Sequence, residues 1–332
     1  MHNISPLTDV SQSGFSPPTE RLFLRLRRRS DVKLLIFFDM STKILLFSRP
    51  QIAHTQSELG QLWSLFERYG FDYAINQEFA EEVEQVLGIK VEASKIYGST
   101  TGEQPADTVM VCCGGDGTLL EGIHRLSDKS IPVAGINFGH LGFLTSARRD
   151  GVEALFDDIA NHRLHLQPRT MLEIEGIAEI GGPITALNEV AAQRLEATMI
   201  KVEASVNSQT VAQYNGDGVI VSTPTGSTAY SLSAGGPIVA PECGCFLLTP
   251  LAPHNFGMRP VVIPDSATIE LTIHTRHGEA MLSVDNRSYR ISDGEKITIR
   301  RAKEQILLAT PHNISFYETL HCKMMWDVDI RN

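Results

Sequence analysis

Thr108-Val109-Met110-Val111-Cys112-Cys113 is an unbroken apolar run that ends in Gly114-Gly115-Asp116-Gly117-Thr118, and a helical pattern from Leu119 to Leu126 follows at once. Nothing else in the chain limits its fold so tightly. Apolar residues without alternation fit a strand buried on both faces, as in a parallel sheet covered by helices. Ile131 to Ile136 supplies the next strand. A strand, a glycine turn, a helix and a second strand in direct succession make a βαβ unit.

The same texture extends on both sides. Lys43 to Phe47 reads as a buried strand, ended by Pro50. Residues 56–70 place Leu59, Leu62, Trp63, Leu65 and Phe66 at helical spacing and close on Gly70. Shorter helices are expected near 77–88 and 151–162. Residues 40–165 are therefore expected to form an α/β domain. From about 170 to 310 the period changes to two, as in Met171 to Glu175, Met199 to Val206 and Thr268 to Ile273. Residues 166–310 thus read as two packed sheets. Residues 311–332 are expected as a closing segment that returns to the first domain.

Residues 1–39 stand apart, with Ser, Pro and clustered Arg and no core period. They read as a disordered tail, with Met40 as the native start. The competing reading is a basic arm with Leu22, Phe23, Leu24 and Leu26 on one face.

Composition excludes several roles. The 332 residues carry a formal charge of −10, which disfavours nucleic acid as a partner and means that an anionic ligand must be held by local N–H groups, helix ends or a few cations. No apolar run approaches the ~20 residues of a membrane span. Five cysteines without a regular framework argue against a secreted disulfide scaffold. Cys243-Gly244-Cys245 lacks the second pair and the spacing of a zinc site. These features together point to a cytoplasmic protein.

Three strings carry chemistry. In Gly114 to Thr118 the glycines let backbone N–H groups approach a phosphate, aided by the helix N-terminus behind them. Asp116 falls at the carboxyl end of the strand, where open α/β sheets bind ligands. From Asp217 to Pro237 an apolar strand runs into a turn dense in Ser, Thr and Gly, suited to a sugar-phosphate. In Asn188-Glu189 an amide and a carboxylate stand side by side, able to grip ribose hydroxyls or an adenine edge.

Together these strings resemble the NAD kinase family, from Lys43 to about Tyr317. The segment Gly135-Ile136-Asn137 through Gly139 to Leu144 is also typical, as are Leu248 to His254 and Arg259 to Pro264. The resemblance implies a Rossmann-like N-terminal α/β domain, a C-terminal β-sandwich domain, and assembly as a homodimer or homotetramer. It implies phosphorylation of the 2′-hydroxyl of NAD's adenosine ribose by ATP, with Mg²⁺ carried by the ATP and no metal ligands from the chain. Asp116 is then the acceptor of the hydroxyl proton, supported by Gly117, with a share that is largely positioning. Asn188 and Glu189 hold the adenosine. Thr228, Ala229, Tyr230, Ser231, Leu232 and Ser233 line the pocket, with Tyr230 and Phe143 flanking adenine. Asp217 contacts an amide or amine of NAD, from its own or a neighbouring subunit. Thr198 and Asn215 align with ligand-contacting positions of variable type.

Two places depart from the family's pattern. Glu121 stands where a basic residue is common, so no cation for phosphate is expected there. Asp285-Asn286-Arg287 replaces smaller residues, and Arg287 supplies a charge instead. GGDGT alone is shared with a wider superfamily, so a lipid or sugar kinase is the rival enzyme. The Asn-Gly pair usual in lipid kinases is replaced here by Glu121-Gly122. A pure NAD-sensing module is the rival without catalysis, and Asp116 argues against it, since a binder gains nothing from a carboxylate beside phosphates.

Overall fold

The computed structural model describes residues 42–139, 142–276, 278–311 and 314–325. The expectations for residues 1–39 and for His140 and Leu141 lie outside these. The described residues form one compact unit.

The first half alternates strands and helices as the apolar runs require. In order come β1 (Lys43–Phe47), α1 (Gln56–Tyr69), β2 (Asp72–Asn76), α2 (Gln77–Leu87), β3 (Ile96–Tyr97), β4 (Thr108–Cys113), α3 (Asp116–Arg125), β5 (Val133–Asn137), β6 (Ala147–Arg148) and α4 (Val152–Ala160). The strands pair in parallel, with β4 between β1 and β5. Ile44 and Leu46 point into a core with α1, α2 and α4, while Leu45 and Phe47 meet α3 through Leu119 and Ile123. That two-sided burial explains why β1 and β4 show no alternation. Thr55 and Glu58 form a capping box at the start of α1, and Gly70 ends it in the left-handed conformation.

The second half is β7 (His165–Glu175), β8 (Ile184–Ala186), β9 (Glu189–Arg194), β10 (Ile200–Val206), β11 (Gln209–Gly216), β12 (Gly218–Ser222), α5 (Tyr230–Ser233), β13 (Cys245–Leu251), β14 (Val261–Pro264), β15 (Ile269–His274), β16 (Glu279–Val284), β17 (Arg287–Ser292), β18 (Lys296–Thr310) and α6 (Phe316–Met324). Six strands form one antiparallel sheet in the order β14-β13-β12-β9-β16-β17. It packs on β7, β10, β15 and β18 through Leu172, Val202, Val221, Phe246, Leu271 and Ile299.

The sandwich's other sheet is continuous with the parallel one. β18 pairs antiparallel with β15 and β7, then parallel with β5 at Leu308↔Val133. An irregularity between Arg301 and Gln305 redirects the strand. The chain therefore re-enters its first half within β18, before the closing segment. The result is a 12-stranded sheet that spans both halves and holds the carboxyl ends of β4 and β5 in fixed relation to the sandwich.

Candidate active site

β4 ends at a turn that only glycine fits. Gly114 has φ +148°, and a Cβ there would strike the Thr118 hydroxyl and the Ile52 side chain. The Gly114 N–H donates to Ile136 O at 2.7 Å, tying the turn to β5. Helix α3 begins at Asp116; Thr118 N–H already donates to Gly115 O at 2.9 Å, so the N–H groups of Asp116 and Gly117 are those at its start without a helical acceptor.

The Asp116 carboxylate is held from across the edge. Phe143 N–H donates to Oδ2 at 2.9 Å and Leu144 N–H to Oδ1 at 3.1 Å. Gly142 approaches so closely that a Cβ on it would overlap this carboxylate. Thr145 Oγ1 fixes the approach by accepting from Gly142 N at 2.7 Å. The long-range partners of Asp116 are thus the glycine-containing segment after β5. Phe143 itself is half-buried, with Lys323 Nζ 6.0 Å from its ring centre.

On the sandwich side, Asn188 and Glu189 stand at the start of β9. Asp285, at φ +50° in the β16–β17 turn, accepts from the N–H groups of Leu187 (2.8 Å), Asn188 (2.9 Å) and Glu189 (3.2 Å). Among the described residues, Asn188 Oδ1 and Glu189 Oε2 are buried without a hydrogen-bond partner. Buried acceptors are rarely left so, and two together mark a place for ligand donors. Burial, with a smaller push from the Asp285 charge, raises the Glu189 carboxyl to about 8 against a lowering by the Tyr230 N–H. Near neutral pH, Glu189 thus holds its proton and is able to donate as well as accept.

The 217–237 segment divides in two. Much of its hydroxyl content is spent on the turn itself. Thr223 Oγ1 donates to Leu187 O at 2.6 Å, Thr228 Oγ1 to Thr225 O at 3.2 Å, and buried Ser231 pairs with Thr249 at 2.9 Å. Leu232 is half-buried and Ser233 exposed, as is Tyr230. Tyr230 and Asp217 line a cavity of about 410 Å³ with Gln193, Arg194 and the 195–197 segment. Arg194 Nε holds Asp217 Oδ1 at 2.6 Å. Asn215 uses its carbonyl to accept from His254 N at 2.8 Å, and Thr198 lies half-buried just past the cavity's 195–197 wall. Arg287 directs Nη2 to Thr185 O at 2.7 Å, while its Nε is buried with no hydrogen-bond partner among the described residues.

Three participants escaped the sequence reading. Asp285 stood out there only as a departure from pattern, yet it organises the Asn188-Glu189 pair. His124, on α3, lies 3.4 Å from it and links the glycine-turn helix to the sandwich. Arg49 follows β1 at the carboxyl edge, and that position was the available clue.

An edge that offers amide N–H groups for phosphates and one oriented carboxylate for a hydroxyl is equipped for phosphoryl transfer. With a sandwich bearing unspent polar atoms on the neighbouring strands, the fold and site define a phosphotransferase.

Comparison with known proteins gives the family. Residues 64–164 match the ATP-NAD kinase N-terminal domain and residues 187–310 the ATP-NAD kinase C-terminal domain. An NAD kinase of Bacteroides fragilis is 33% identical over 291 residues, covering 87% of this chain and 99% of its own. One of Christiangramia forsetii is 34% identical over 294 residues, at 87% and 100% coverage. The chain belongs to the NAD kinase family. Its fold is similar to that of yeast NADH kinase complexed with NADH, with a TM-score of 0.76 at 23% identity, covering 89% of this chain and 91% of that one. It is also similar to an Archaeoglobus fulgidus NAD kinase in complex with ATP, with a TM-score of 0.66 at 24% identity and coverage of 86% and 99%.

Proposed function

We propose that this chain transfers the γ-phosphoryl group of ATP to the 2′-hydroxyl of the adenosine ribose of NAD, giving NADP. The observation that carries the reading is the fixed Asp116 carboxylate, held by two backbone N–H groups at the first turn of α3. Phosphoryl transfer asks mainly for alignment and charge neutralisation. Asp116 orients the 2′-hydroxyl and accepts its proton, with Gly117 leaving room for the phosphates. Asn188 and Glu189 hold the adenosine through their unspent oxygens. Tyr230, Asp217 and the 193–198 segment receive the rest of the dinucleotide in the adjoining cavity, and Phe143 flanks the adenine. Mg²⁺ arrives with the donor, with phosphate oxygens and water as its ligands.

The reading extends to a cytoplasmic enzyme working as a homodimer or homotetramer, built from an α/β domain over 40–165 and a sandwich domain over 166–310. Among the described residues no helix is long and apolar enough to cross a membrane. A coupled assay for NADP with purified chain, NAD and MgATP tests the function. Product that depends on both substrates supports it, and phosphorylation of a lipid or sugar without NADP formation contradicts it.

A further inference from the structure

Arg49 is a cation with unused bonding capacity beside the glycine turn. It follows β1 and sits where the loop to α1 folds over the edge of the sheet. A Cβ placed on Gly117 would lie 3.0 Å from its Nη1. Its guanidinium donates no hydrogen bond to any described residue. Nε is buried 3.1 Å from Glu121 Oε2, an ion pair without hydrogen-bond alignment. Glu121 also receives Arg125 Nη2 at 3.1 Å, so its carboxylate is braced from the other side.

The loop that delivers Arg49 is itself pinned. Ile52 N–H donates to Arg49 O at 3.0 Å, and the Ile52 side chain packs on Gly114. His54 N–H donates to Glu82 Oε1 at 2.6 Å. An isolated ion pair on a surface contributes little and does not explain the pinned loop. A planar fork with five donors, none of them hydrogen-bonded to a described residue, next to the N–H groups that open α3, matches the equatorial oxygens of a polyphosphate.

We propose that Arg49 is the cation that grips the donor nucleotide's polyphosphate at the GGDGT turn, with Glu121 as the residue that positions it. The acid at 121, braced by Arg125, aims Arg49 at the turn. This rests on the reading of ATP as phosphoryl donor. In a chain of charge −10, a placed cation of this kind is what an anionic donor requires.

Steady-state kinetics on the full chain, with MgATP and NAD varied separately, test the proposal. Loss of one charge-assisted contact corresponds to about ten- to a hundredfold. Arg49→Ala is expected to raise the KM for ATP by that factor and leave the KM for NAD within twofold. Arg49→Lys should recover part of the loss, because charge returns without the fork. Glu121→Gln should raise the ATP KM by a smaller factor, about threefold to tenfold. NAD binding by calorimetry checks that each variant is folded, and Arg49→Gln, which keeps more of the packing, replaces Arg49→Ala if that variant fails the check. An ATP KM within twofold of wild type in a folded Arg49 variant, or equal increases for both substrates, would overturn the proposal. Wild-type chain that makes no NADP from ATP would instead sink the donor assignment on which it rests.

Discussion

His124 Nε2 lies 3.4 Å from the fully buried carboxylate of Asp285, joining the helix that opens at Asp116 to the turn that organises Asn188 and Glu189. Helix α3 and the Asn188-Glu189 segment are thereby linked through a side-chain contact and three backbone N–H groups. Removing the carboxylate leaves those N–H groups buried and unpaired, which costs about 1–3 kcal/mol each before relaxation. Asp285→Ala is expected to lower the melting temperature by roughly 5–10 °C and to raise the KM for NAD more than that for ATP. A variant with wild-type stability and wild-type NAD KM would show that the loop holds its shape without Asp285.

Glu189 makes stability depend on pH. Its carboxyl keeps the proton to about 8 in the folded chain against an ordinary 4.5. Between those values the unfolded form binds fewer protons, so stability is full below pH 4.5 and falls as pH rises to about 8. Asp285 and His124 are the charged and titratable groups nearby, and both remain in a Glu189→Gln variant. Between pH 5 and pH 9 the wild type should lose several degrees of melting temperature that this variant keeps. Parallel curves for the two proteins would refute the assignment.

Gly142→Ala probes the support of Asp116 without touching the carboxylate chemically. The added methyl overlaps the Asp116 side chain and must displace it or the segment that holds it. Misplacement on the order of 1 Å costs about a hundredfold in rate. The expected outcome is a kcat lower by about that factor with NAD binding retained, measured by calorimetry beside the assay. An unchanged kcat would mean that the position of Asp116 is not critical.

Much of this was legible because local rules and tertiary structure agree. β4 falls where the apolar run places it, while α3 starts at Asp116, three residues before the expected Leu119, because Gly115 caps it inside the glycine turn. The ends of α1 and α2 fall at Gly70 and Gly88, both in the left-handed conformation a helix stop needs. What escaped were long-range relations. The full course of β18 is not legible, because the irregularity between Arg301 and Gln305 breaks its period and its later pairing with β5 depends on residues far away in sequence. The Ser and Thr of 223–231 read as ligand donors from their number, yet backbone carbonyls and Thr249 take several of them. Arg49 and Glu121 carry meaning only as a pair 72 positions apart, brought together by β1 and α3.

The central claim is that Asp116 acts on the hydroxyl being phosphorylated, and Asp116→Asn tests it most directly. The amide keeps the size and one acceptor, so the turn and NAD binding should persist. General-base and orienting help of this kind is worth about 10²–10⁴ in rate. Single-turnover measurement of NADP formation should show a loss in that range with the NAD dissociation constant within a fewfold of wild type. A variant that turns over within about threefold of wild type would remove Asp116 from the reaction.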